Sequence, residues 1–125
     1  MTVAMRSVAV FVTDVERARI FYEDQLGLPV HTAGSFGFEF FDQSPHLGVH
    51  PAAHPDSRAL VGRHTGVTLQ VDGLLNLCST LGEHGVRFVA EPTQQEFGIM
   101  ALVADPDGNI LALWEDNTQA GEEPQ

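Results

Sequence analysis

The sequence predicts an α+β fold made of two copies of one strand–helix–three-strand unit. The segments RSVAVFVTDVERARIFYEDQLGL (6–28) and TGVTLQVDGLLNLCSTLGEHGV (65–86) share an alternating apolar strand, an acidic break, an amphipathic helix and a glycine stop. The copies are offset by about 59 residues at the strands and 58 at the helix ends, and each helix is followed by three short strand-like runs. A unit of this size cannot bury its apolar face alone, so the copies should pack together around one shared cleft.

In the first copy, residues 5–12 alternate: Val8, Val10 and Val12 point one way, Ser7, Ala9 and Phe11 the other. Thr13 and Asp14 break the strand, and Asp14 is a good helix N-cap. The spacing of Val15, Ala18, Phe21 or Tyr22, and Gln25 or Leu26 predicts one helix over about 15–26, which Gly27 would end. Strands are expected near 29–33, 36–41 and 46–50. PAAHPDSRALVGRHTG (51–66) is rich in turn formers and reads as the linker region between copies. In the second copy Val67, Leu69 and Val71 form one strand face and Gly66, Thr68 and Gln70 the other. Leu74, Leu77, Cys78 and Leu81 recur at helical spacing, and Gly85 ends the helix. Strands near 86–90, 98–104 and 110–115 follow, the last two joined by the turn DPDGN (105–109). The first module thus spans about 5–50, the linker proper about 51–64, the second module about 65–116 and a tail 117–125. The apolar strand faces should carry the helices and the mixed faces should line the cleft.

Composition narrows the function. The 125 residues suffice for one domain with a modest core. A formal charge of −11, with six basic side chains that are all arginine, argues against nucleic-acid binding and is compatible with attraction to cationic ligands. Part of that charge sits in EDNTQAGEEPQ (115–125), expected to fray. No apolar run is long enough for a bilayer, so no membrane partner is expected. The N-terminus lacks a basic segment leading an apolar core, and the single Cys78 allows no intrachain disulfide. A cytoplasmic setting is the expectation, with Cys78 as a small core residue.

Taken with ADPDGNILALWE (104–115), the two strand–helix segments resemble the vicinal oxygen chelate superfamily over roughly residues 5–116. That superfamily includes glyoxalase I, extradiol dioxygenases and bleomycin-resistance proteins. The resemblance implies paired βαβββ modules whose sheets curl into an open, U-shaped cleft, and a homodimer. In the metalloenzyme members it implies a divalent ion that stabilises an enolate or activates adjacent oxygens. It places the ion's ligands at Ser7, at Gly66, at Ala112 three residues after the turn Asn, and on the strand near 46–50. Ser is a poor ligand when neutral, and Gly and Ala offer no side-chain donor. On HLGVH (46–50), His46, Gly48 and His50 share one face, with Gly48 matching Ala112.

The expected site is therefore a cleft without the metal, lined by Ser7, Phe11, His50, Thr68, Gln70, Ala112 and Trp114. This surface suits a small molecule, with Phe11 and Trp114 able to stack on a planar or cationic ligand. The plainer alternative is that these aromatics only fill the core. For catalysis the candidates are His50 and Glu39. A buried Glu39 would have a raised pKa and serve as acid or base, whereas a solvent-facing one would not. For a displaced metal site the candidates are His50 and His64; a shift of two residues would bring His64 to the ligand position held by Gly66. His46 reads as a surface histidine, as do His31 and His84. Two functions follow: a binder of a small aromatic or cationic molecule, with no cofactor, or a metal-dependent lyase, isomerase or dioxygenase with displaced ligands.

Overall fold

The computed structural model describes residues 1–117. Strand β1 (Ser7–Val12) leads into helix α1 (Val15–Arg19), which continues as a π-helical turn over Ile20–Gln25. Asp14 is the extended N-cap, and its carboxylate accepts from the Arg17 amide at 3.1 Å. The single α-helix expected over 15–26 is corrected here. The Leu26 amide reaches back five residues to the Phe21 carbonyl at 2.9 Å, widening the turn. The consecutive residues Phe21 and Tyr22 are both buried and meet edge-on at 4.8 Å.

Strands β2 (Val30–Gly34), β3 (Gly37–Phe40) and β4 (His46–Pro51) complete the first unit. The linker holds one short helix, α2 (Pro55–Arg58), started by its proline at the first turn. The second unit runs β5 (His64–Gln70), α3 (Leu74–Glu83), β6 (Arg87–Gln94), β7 (Gly98–Ala104) and β8 (Ile110–Asp116). Residues 98–104 agree with the expected strand. β6 extends past its expected end at 90 through two register shifts against β7. The expected frayed tail lies, from residue 118 on, outside the described residues.

Each unit makes its own four-stranded open sheet, in the orders β1-β4-β3-β2 and β5-β8-β7-β6. The first strand of each unit lies at a sheet edge, parallel to the last strand of the same unit. As the alternation predicts, Val10 and Val12 are buried and Ser7 is exposed; Leu69 is buried and Thr68 and Gln70 are exposed. The helices cover the apolar faces. One core joins Val10, Phe21, Tyr22, Phe40 and Val49 of the first unit to Leu69, Leu74, Leu81, Val103, Leu111 and Leu113 of the second. Burying each such side chain contributes about 1.5–3 kcal/mol. Cys78 belongs to this core, and burial pushes its thiol pKa up.

The turn after β7 ties the units together. Buried Asp105 accepts from the Tyr22 hydroxyl at 2.7 Å, from Asn109 Nδ2 at 2.9 Å and from the Asp107 and Asn109 amides. Burial, reinforced by the Asp105 charge, pushes the Tyr22 hydroxyl pKa well up, so it stays a donor. Asp107 accepts from the Thr13 amide at 2.9 Å, the Thr13 hydroxyl at 2.6 Å and Arg17 at 3.3 Å. Asn109 donates to the Phe11 carbonyl and accepts from the Gly62 amide. DPDGN is thus a latch from the second unit onto β1 and α1.

Candidate functional site

The two mixed strand faces form two polar–aromatic half-sites on separate sheets. On the first sheet the ladder pairs Ser7 with His46, Ala9 with Gly48 and Phe11 with His50, and Glu39 lies across from Gly48. His50 donates from Nδ1 to the Phe36 carbonyl at 2.8 Å, since a carbonyl only accepts. Its ring lies 6.3 Å from that of Phe11 and 6.0 Å from that of Phe36, both tilted. Phe36, absent from the expected site, sits in the turn between β2 and β3 and is 44% exposed.

Glu39 is buried, and the expectation of a raised pKa is corrected. Arg6 Nη1 lies 2.8 Å from Oε2, and Arg6 and Thr32 both reach Oε1. The Arg6 hydrogen bond, then its charge, outweigh desolvation and hold the carboxyl below its ordinary range. A low-pKa carboxylate with both oxygens engaged is a poor general base. His46 is half-buried, not a plain surface residue: Nδ1 donates to the Phe41 carbonyl at 2.8 Å, and its ring stacks on that of His31 at 4.6 Å and 7°.

On the second sheet Thr68 pairs with Ala112 and Gln70 with Trp114. The Trp114 indole donates to Asp116 Oδ1 at 2.7 Å, and Gln70 donates to Oδ2 at 3.3 Å. Asp116 is therefore a site residue that strand parity alone could have added, two positions beyond Trp114 on the same face. Glu115, between Trp114 and Asp116, has a separate task. It accepts from the Gly73 and Leu74 amides at 2.9 and 3.0 Å, capping helix α3 from β8, and those bonds hold its pKa down.

The start of β5 departs from simple alternation. His64 pairs with Ile110 and Thr68 with Ala112, so four residues of β5 span two of β8. Gly66 takes up the extra length with φ +78, where nothing crowds its missing side chain. The slip gives His64 the ladder place that Ser7 holds in the first unit. Its Nδ1 accepts from the Gly66 amide at 3.3 Å. The divalent ion implied by the resemblance still does not fit these residues. Its positions carry Ser7, Gly48, Ala112 and, after the slip, His64, and no three His, Cys, Asp or Glu side chains converge among the described residues.

Separately, a cavity of about 730 Å³ opens at the seam between the units. Val8, Leu26, Leu28 and Leu47 line it from one side and Val67, Leu69, Val71 and Leu113 from the other, with His46, Thr68 and Gln70 among its polar residues. Ser7, Phe11, His50, Ala112 and Trp114 are not in its lining. The expected site residues are thus grouped as Ser7, Phe11 and His50 on one sheet and Thr68, Gln70, Ala112 and Trp114 on the other.

No helix among the described residues is long and apolar enough to cross a membrane. A sequence model of the Glyoxalase/Bleomycin resistance protein/Dioxygenase superfamily matches residues 4–113. The chain is 24% identical over 116 residues to the uncharacterized protein YetH of Bacillus subtilis (strain 168), covering 87% of this chain and 95% of YetH. Its fold is similar to that of UcmS2 (TM-score 0.74, 23% identity, 91% and 98% of the two chains). It is also similar to that of TnmS3, an antibiotic binding protein from Streptomyces sp. CB03234 (TM-score 0.71, 24% identity, 93% and 98%).

Proposed function

Because the chain belongs to the Glyoxalase/Bleomycin resistance protein/Dioxygenase superfamily, we propose that it binds a small aromatic or cationic molecule on its mixed strand faces, without a metal cofactor. The observation that carries this reading is the chemistry at the metal positions. Three of the four, Ser7, Gly48 and Ala112, lack a strong side-chain ligand, while the neighbouring ladder positions carry Phe11, His50 and Trp114 with their rings partly open to solvent. Removing ligands and leaving aromatic surface favours reversible binding over Lewis-acid chemistry. The antibiotic binding of TnmS3 supports the same class of ligand. Asp116, beside the Trp114 indole and without a basic side chain in contact among the described residues, suits the cationic part of such a molecule. The binding unit on this reading is a homodimer, which sedimentation equilibrium tests.

Isothermal titration of an aromatic and cationic compound library, in chelator, tests the reading. Saturable binding that is unchanged by added nickel, zinc, manganese or iron is expected. The alternative, a metal-dependent lyase, isomerase or dioxygenase, has the shifted register of His64 in its favour. Stoichiometric metal in untagged protein, with turnover that depends on it, would replace the first reading by the second.

A further inference from the structure

We infer that His50 is the polar anchor of the first half-site: a hydrogen-bond acceptor, held in one tautomer, for a flat aromatic ligand that carries an O–H or N–H donor. The inference deepens the small-molecule reading and rests on it. Three features fix the chemistry. The Phe36 carbonyl accepts from Nδ1 at 2.8 Å, so in the neutral ring the lone pair resides on Nε2. That Nε2 has no hydrogen-bond partner among the described residues, and it is absent from the buried unsatisfied atoms, so it remains open to solvent.

The third feature is Gly48. A Cβ built there would sit 2.5 Å from His50 Nε2 and 3.2–3.3 Å from the two adjoining ring carbons. Gly48 has no positive φ, so the backbone does not ask for glycine; the space does. The imidazole lies down on the sheet over Gly48 instead of standing away from it. Phe11 and Phe36 flank it with tilted rings. The one carboxylate nearby in the ladder, Glu39 across from Gly48, is engaged by Arg6 and Thr32 and does not compete for the donor. A phenol, an enol or an aromatic N–H therefore matches the site, whereas an ether or a carboxylate meets lone pair with lone pair.

The probes are 2-naphthol and 2-methoxynaphthalene, equal in ring area but with and without the donor. The experiment follows 15N-histidine and amide resonances at pH 8 together with calorimetry. Free His50 is expected in the Nδ1–H tautomer. Naphthol should bind about three- to tenfold tighter than its ether, the range one neutral hydrogen bond supplies, and should shift the Nε2 resonance. His50→Phe, which keeps an aromatic ring, should erase the preference, and Gly48→Ala should displace the imidazole and weaken the tautomer signature. An Nε2–H tautomer in the free protein, or equal binding of the two probes, overturns the anchor. So does naphthol binding that shifts the Thr68 and Leu69 amides of the seam cavity while His50 stays unmoved, although the small-molecule reading then survives. If neither probe and no library compound binds, both readings fall.

Discussion

Asn109 offers the sharpest test of the latch. Its side chain is fully buried and makes three hydrogen bonds: Nδ2 to the Phe11 carbonyl and to Asp105 Oδ2, both 2.9 Å, and Oδ1 from the Gly62 amide at 2.8 Å. Asn109→Ala removes all three at once. Asp105 keeps Tyr22 and two turn amides, so the loss concentrates on the Phe11 carbonyl and the Gly62 amide. Each such group left unpaired costs about 1–3 kcal/mol, and both are partly buried, so a total of about 2–4 kcal/mol is expected. That is a large share of the roughly 5–15 kcal/mol that holds a domain together. Urea unfolding followed by far-UV circular dichroism measures it: the midpoint should fall while the slope stays constant. Asn76→Ala, on the exposed side of α3, is the control and should change stability by less than about 0.5 kcal/mol. A loss below about 1 kcal/mol for Asn109→Ala would show that the turn closes β7 onto β8 without tying the units together.

Gly66→Ala should cost about 1–2 kcal/mol in the same assay, because φ +78 is left-handed although no atom crowds the new methyl. A neutral or stabilising result would mean the bulge is absent in solution. The folded-state pKa of Glu115 is lowered by the Gly73 and Leu74 amides, so its contribution is present above the unfolded carboxyl pKa and fades as pH falls through the folded value. Glu115→Gln should therefore destabilise the protein at pH 7 and converge with the parent in acid; a gap that persists at the lowest pH where both fold would refute the capping role. Cys78, buried and with its thiol pKa raised, should react with Ellman's reagent slowly in the native protein and rapidly in urea. Fast native labelling would contradict its place in the core.

Local order was legible where it depends on neighbours in sequence. Alternation and glycine stops located β7 over 98–104, the helix start after Asp14 and the inward side of β1. The misses each depend on distant partners or on backbone geometry. Nothing near Phe21 announces the five-residue reach that turns α1 into a π-helix. Gly66 reads as an ordinary strand residue until its ladder with β8 reveals the two-residue excess. Glu39 lies in FGFEFFD (36–42), among aromatics, but its titration is governed by Arg6, 33 residues earlier. DPDGN carries a strong turn signal, and its second role needs Thr13, Arg17 and Tyr22, more than 80 residues away. Of the candidate site, strand parity gave the ring-bearing faces and, carried two positions past Trp114, would have reached Asp116; Phe36, in a turn, emerged only from the hydrogen bond that its carbonyl accepts.

The two sheets share no strand pairing, and the aspartates and asparagine after β7 hydrogen-bond from the second unit onto the first. The joint between the units and the lining of their faces are consequently separate variables. Exchanges at Thr13, Arg17 or Asp107 bear on how the second unit is tied to β1 and α1, whereas exchanges at Phe11 or Trp114 bear on the chemistry of the strand faces. In a duplicated scaffold tied in this way, the joint between the units and the chemistry of their faces are free to change independently.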